Sequence, residues 1–171
     1  MTRSAWRLVK TRFVASAFDG EGARRYGGRW NSVGTRVVYL AGSVSLAILE
    51  VLVHTEDVGL LGAYSICEVR FESKLVEAIS AEKLPRDWAA IPASDATRAI
   101  GDRWVGAATS ALLEVPSVVA PGEFNLLANP AHRDFGRLDI GEFAPFRFDS
   151  RLAPRDATTR PRGRRSRRPV D

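Results

Sequence analysis

Glu50 is the residue whose surroundings most need a chemical reason. It stands inside Ser43–His54 (SVSLAILEVLVH), a strongly apolar run. A carboxylate there is costly unless it is paired or faces a solvated cavity. Ser43, Ala47, Glu50 and His54 recur every three or four residues, which places them along one side of a helix. That stripe reads either as the helix's wet side, with Glu50 and His54 exposed together, or as a narrow face of small residues against which a ligand packs. Upstream, Arg29 lies in Gly27-Gly-Arg-Trp-Asn31. In such a stretch a guanidinium and the backbone can approach a phosphate together. Downstream, Ser117 sits in Glu114-Val-Pro-Ser-Val-Val119, followed by Asn125 and by Asn-Pro-Ala-His132. Ser117 is either an ordinary strand serine or one turned into a cleft, and His132 reads as a loop histidine.

Several other chemistries are excluded. There is no Gly-x-Ser-x-Gly elbow, so a serine hydrolase of the α/β type has no support. No glycine-rich loop runs into Lys-Ser or Lys-Thr, so a nucleotide P-loop is absent. The one cysteine, Cys67, cannot form an intramolecular disulfide. Two histidines, His54 and His132, are too few for a histidine-based metal centre, and no metal is expected.

The elements that must position these residues are legible in part. Ala5–Lys10 reads as a first strand, and Thr11–Asn31 as a glycine-rich loop. Asn31–Thr35 reads as a turn and Arg36–Ala41 as a strand. Ser43–His54 is the strongest helix, capped by Ser43 and mostly buried. Ala63–Glu72 is a strand, and Lys74–Ile79 a strand or short helix. Pro85–Pro92 is a loop with Trp88 buried in it. Ser94–Ala111 is a helix with Ala99, Trp104 and Ala107 on one apolar face, weakened by Gly101 and Gly106. Leu112–Ala120 is strand-like, with Pro116 marking an edge or a bulge. Glu123–His132 reads as a loop or a short helical turn, and Arg137–Ile140 and Pro145–Arg151 as final strands. These elements predict one α+β domain of short, mostly antiparallel twisted strands with helices.

The chain has 171 residues and a net charge of +5, a length that suits one domain. The stretch from Ala153 to Asp171 holds seven arginines and two acids, so it carries the whole excess and leaves the rest neutral. That stretch lacks apolar periodicity and is expected to be disordered. A neutral body argues against a nucleic-acid-binding surface on the folded part. No apolar run reaches the ~20 residues of a membrane span, and no signal-like apolar segment opens the chain. A cytoplasmic protein without membrane attachment is expected.

Taken together, AWRLVK, the stretch FDGEGARRYGGRWNSVGTRVVYLAGSVSLAILEVLVH and VPSVVAPGEFNLLANPAH resemble the RES-domain family, from about Ala5 to His132. The resemblance implies a toxin of a bacterial toxin–antitoxin pair, with a fold similar to ADP-ribosyltransferases and with NAD consumed as substrate. It makes residues 1–152 the catalytic domain and 153–171 a tail outside it. Carried onto this chain, it implies catalytic roles for Glu50, Arg29 and Ser117. Arg7, Arg29, Tyr39 and Asn125 fall at cofactor-binding positions, and His54 is grouped with them from the stripe. The implied partners are an antitoxin with a helix-turn-helix DNA-binding domain and, where the acceptor is a protein, a protein target, with a homo-oligomer or a toxin–antitoxin hetero-oligomer as the assembly.

The residue types suit that chemistry. Arginines hold a pyrophosphate through charge-assisted hydrogen bonds. Breaking the nicotinamide–ribose bond develops oxocarbenium-like charge, which a fixed carboxylate stabilises best in a dry, preorganised site. Nicotinamide leaves well without a second carboxylate as acid. Water, phosphate and a protein side chain all remain open as acceptors. The alternative from a different class is a nucleic-acid-binding module acting through the arginine tail.

Overall fold

A computed structural model describes residues 1–55 and 63–152. The described residues contain eight strands: β1 (Thr2–Lys10), β2 (Val38–Ala41), β3 (Tyr64–Glu72), β4 (Val76–Ala78), β5 (Leu112–Pro116), β6 (Phe124–Ala128), β7 (Asp139–Ile140) and β8 (Ala144–Phe146). They form one sheet in the order β4-β5-β6-β2-β1-β3-β7, with β8 also pairing β3. Among the described strands only β4 and β5 pair in parallel. The helices are α1 (Glu21–Tyr26), α2 (Val44–Val53) and α3 (Asp95–Ala107). The α+β expectation, with mostly antiparallel strands, is met. The arginine-rich stretch from Ala153 lies outside the described residues.

The long ladder is β1–β3, running from Thr2↔Glu72 to Lys10↔Tyr64. Alternation on β3 buries Cys67, Val69 and Phe71 on one face, as a period of two requires. In contrast, β1 and β2 pair at a single position, Trp6↔Ala41. Next to that pair the Arg7 side chain ties the segments together. Its Nη1 donates to Tyr39 O at 3.0 Å and its Nε to Ala17 O at 3.2 Å.

Strands β5 and β6 are buried on both faces. Leu112, Leu126 and Ala128 join one core cluster with Val38, Leu40 and Phe71. Leu113, Val115 and Leu127 join another with Trp30 and Trp104. This corrects the expectation for Glu123–His132, which begins with a central strand rather than a loop or helical turn. A strand covered on both faces reads as a continuous apolar run, so Leu126-Leu127-Ala128 showed no alternation. Three further boundaries move. Thr11–Asn31 contains a 3-10 turn over Thr11–Ser16 and helix α1. The strand expected over Leu112–Ala120 stops at Pro116, past the last β4 partner, Glu114. No β4 group there needs the N–H that proline lacks. Pro145–Arg151 yields only the end of β8 and a 3-10 turn.

Helix α2 packs Leu46 and Ala47 against Leu8, Ala41 and Tyr64. It is less buried than its composition suggests, with Leu49 and Val53 exposed. Helix α3 is capped by Ser94, whose Oγ accepts the Thr97 N–H. Its buried face is Thr97, Gly101 and Trp104, while Ala107 is exposed. Gly101 is what lets this helix pack closely. A Cβ there would sit 1.7 Å from Trp30 O.

Candidate active site

Helix α2, strands β1, β2 and β6 and the Gly27–Asn31 stretch surround a cleft of about 2030 Å³. Arg7, Arg29, Tyr39, Glu50, His54 and Asn125 all line it. Ser117 does not. It is 3% exposed and stands behind Glu50. The structure therefore brings six of the seven anticipated residues to one cavity wall and puts the seventh against one of them.

Glu50 is held from the β5–β6 side. Asn125 Nδ2 donates to Glu50 Oε1 at 2.7 Å, and Ser117 Oγ donates to the same oxygen at 3.5 Å. Ser117 Oγ also accepts the N–H groups of Val119 and Ala120, both at 3.1 Å. With its lone pairs so used, the hydroxyl has one proton to give, and Glu50 receives it. Among the described residues nothing bonds Glu50 Oε2, which leaves that oxygen for a ligand. The other end of α2 is fastened to the same hairpin, because Ser43 donates to Glu123 Oε2 while capping Leu46. Gly42 lies close under Phe124 O, where a Cβ would come within 2.7 Å.

The glycine-rich stretch is braced from inside. Asn31 is fully buried, and its Nδ2 donates to Ala23 O, Ser32 O and Thr35 O. Tyr39 Oη donates to Asn31 Oδ1 at 2.7 Å and accepts the Trp30 N–H at 3.2 Å. Burial raises the Tyr39 phenol well above its ordinary value. The hydroxyl is thus neutral and committed to the loop. A Cβ at Gly28 would lie 2.5 Å from that hydroxyl, so only glycine fits beneath it. Asp102 of α3 accepts the Ser32 N–H at 3.0 Å. Burial pushes the Asp102 carboxyl up, but bonds from Ser32 and Thr35 outweigh it and leave the group below its ordinary value.

The two arginines are placed differently. Arg29 Nη1 donates to Trp88 O at 2.8 Å and to Ala90 O at 2.9 Å. This leaves the Nε–Nη2 edge, a planar two-donor fork suited to phosphate. Arg7 spends Nε and Nη1 on backbone carbonyls and keeps Nη2. Burial lowers its guanidinium to about 10, and nearby Asp19 opposes the shift. It remains charged at neutral pH. His54 sits at the exposed cleft edge, its Nδ1 2.7 Å from the backbone oxygen of Glu50. His132 lies elsewhere, buried, with Nδ1 accepting the Asp134 N–H.

Sequence reasoning missed Asn31, Asp102, Glu123 and the carbonyls of Trp88 and Ala90. Asn31 had a signal, its place in Gly-Gly-Arg-Trp-Asn. The other contacts join distant segments and had none. Among the described residues, no group of three or more His, Cys, Asp or Glu comes together to hold a metal ion. None of the described helices is long and apolar enough to cross a membrane.

The arrangement can be compared with known proteins. The fold is similar to the crystal structure of the M. tuberculosis MbcT–MbcA toxin–antitoxin complex, with a TM-score of 0.69, 22% identity and 85% of each chain covered. The sequence is 40% identical to a protein named Toxin Res from Yersinia enterocolitica, over 86% of this chain and 97% of that one. It is 39% identical to a Toxin Res from Photorhabdus laumondii, over 86% and 95%. It is 36% identical to the Prs ADP-ribosylating toxin of Sphingobium sp., over 89% and 98%. The RES domain family model matches residues 4–149, the span that builds both the sheet and the cleft, and the chain belongs to the RES domain family.

Proposed function

We propose that this protein is the toxin of a toxin–antitoxin pair and that it acts by cleaving the nicotinamide–ribose bond of NAD and passing ADP-ribose to an acceptor. The observation that carries this reading is the fixed Glu50 carboxylate, with one oxygen bound by Asn125 and Ser117 and the other open to the cleft that Arg7 and Arg29 line. The names of the curated relatives, toxins and an ADP-ribosylating toxin among them, support the same reading. Residues 1–152 are the catalytic domain in this proposal, and residues 153–171 a tail outside it.

The geometry supports a role for each residue. The Nε–Nη2 edge of Arg29 takes pyrophosphate oxygens in bidentate fashion, and Arg7 Nη2 adds a second positive contact. The Tyr39 ring packs against the nicotinamide end. Glu50 Oε2 faces the ribose. As the glycosidic C–N bond breaks, its electron pair leaves with neutral nicotinamide and positive charge grows on the sugar ring. Glu50 meets that charge without reorganising, because its other oxygen is already anchored. The acceptor then bonds the anomeric carbon and gives up its proton. Ser117 acts through Glu50 rather than on substrate, and His54 stands where the cleft meets solvent.

The acceptor is a protein side chain, phosphate or water. The partner is an antitoxin with a helix-turn-helix domain, and the neighbour's toxin–antitoxin assembly supports such a pairing. Cytoplasmic action on the NAD pool is part of the same reading.

The test uses NAD labelled on its adenylate half, incubated with purified protein, phosphate and cell extract. NAD loss and the destination of the label are followed together. Label on a discrete protein identifies a mono-ADP-ribosyltransferase, and label in small molecules a phosphorylase or glycohydrolase. Glu50→Ala is expected to lower NAD loss roughly 100-fold or more. Undiminished loss in a folded Glu50→Ala protein would sink the mechanism. Absence of NAD loss in the wild type would return the nucleic-acid-binding module to first place.

A further inference from the structure

We propose that Trp88 is a positioning residue for the phosphate-binding edge of Arg29. The inference rests on the reading of function above and adds a residue outside the cleft lining. Arginine side chains lose rotamer freedom when fixed, so a phosphate hook that is already held in place binds more tightly. Arg29 is fixed at one nitrogen by two carbonyls, Trp88 O and Ala90 O. Among the described residues it forms no ion pair.

Those carbonyls belong to a segment with no helix or strand between Lys83 and Asp95. Two short turns shape it, with Trp88 N–H donating to Pro85 O at 3.0 Å and Ala90 N–H to Asp87 O at 2.9 Å. Leu84 and the Trp88 indole pack it on the Trp30 cluster, and the indole stacks on Trp30 itself with centroids 6.2 Å apart and planes at 26°. Trp30 is 2% exposed and directly follows Arg29. The contacts therefore close a circuit: Arg29 to Trp30 along the backbone, Trp30 to Trp88 through the stack, and Trp88 back to the Arg29 guanidinium through its carbonyl. The next residues, Ile91 and Ala93, form part of the cleft wall.

The stack thus fixes the carbonyls, the carbonyls choose the Arg29 rotamer, and that rotamer aims Nε and Nη2 at the ligand. Arg29 holds a part of NAD that does not react, so loosening it weakens ground state and transition state alike. That pattern raises KM and leaves kcat unchanged.

Two measurements test this. The first is kinetic. Trp88→Leu keeps apolar bulk against the cluster, and Trp88→Phe keeps an aromatic ring. For Leu the KM for NAD is expected to rise about 3- to 10-fold with kcat within about twofold, the range an aromatic pair is worth. For Phe both constants stay near wild type. A Leu variant with unchanged KM overturns the proposal, and so does a fall in kcat without a rise in KM. The second measurement needs no activity. In Arg29→Ala, hydrogen exchange is expected to quicken at the amides of residues 86–91 while β5 and β6 keep their protection. Unaltered exchange in that segment would show that Arg29 and the segment are not linked. No NAD loss by the wild type would defeat the functional reading, whereas NAD loss with an unchanged Trp88→Leu KM defeats this inference alone.

Discussion

Asn125 and Glu50, 75 positions apart, share a 2.7 Å hydrogen bond from the amide Nδ2 to Oε1. The donor comes from β6, whose next three residues, Leu126–Ala128, are buried, so it is a rigid mount for the carboxylate of α2. Asn125→Ala leaves Oε1 with only the long contact from Ser117. The expected result is a fall in kcat of roughly 10- to 100-fold, since preorganisation of the charge is lost while phosphate binding is not. Asn125→Asp should be worse than Asn125→Ala, because it sets a second negative group against Glu50 where a donor stood. Initial rates of NAD loss at saturating NAD check the order of the three proteins, and Asp matching wild type would refute this role.

Much of this site was legible because its chemistry depends on residue types. A carboxylate in an apolar helix needs a reason, and so does an arginine that follows two glycines. Both led to the cleft, as did Tyr39 and Asn125 through the family resemblance. The scaffold was less legible wherever local pattern and long-range packing part. The segment Phe124–Ala128 shows no alternation because Leu126 and Leu127 enter different cores. The Ser43–His54 run suggested a buried helix, yet Leu49 and Val53 are exposed. Local spacing does not say which side of a helix meets the sheet. Gly101 looked like a weakness of α3, and only the Trp30 carbonyl above it shows its use. Trp88 was expected to be buried in its loop and is only half-buried, while the bond from Arg29 to its carbonyl is a contact across 59 positions.

Helix α1 supplies a pH test. Glu21 bonds Arg24 and Arg25 within the helix and pairs with Arg36 beyond it. Hydrogen bonds from Arg24 and then Arg25 hold its carboxyl down at about 2. The unfolded chain therefore takes up this proton more readily than the folded one. The stabilisation is complete above the ordinary glutamate value of 4.5 and is lost as the pH falls towards 2. Glu21 is half-buried, but its three arginine partners lie exposed at the surface, so the effect is small and weakens with salt. A carboxyl NMR titration should place the Glu21 midpoint near 2 in the wild type and nearer to 4.5 in Arg24→Gln. An unchanged midpoint in Arg24→Gln would mean that these bonds do not set the value.

Gly101 links the scaffold to the Arg29 hook. A Cβ at this position would meet Trp30 O at 1.7 Å and Trp30 C at 2.8 Å. Both atoms are backbone, so neither can rotate away, and α3 or the glycine-rich stretch has to move. Alanine normally favours a helix interior over glycine by about 1 kcal/mol. Here overpacking opposes that gain with a typical cost of 1–3 kcal/mol, roughly. Gly101→Ala should therefore lower stability in a denaturant melt. By displacing Trp30 it should also disturb the Trp88 stack and raise the KM for NAD. Gly106→Ala is the matched control, because nothing lies within 4 Å of its would-be Cβ. That variant should be neutral or more stable, with kinetics unchanged. If Gly101→Ala melts like Gly106→Ala, the close approach of α3 to the Trp30 carbonyl does not hold in solution.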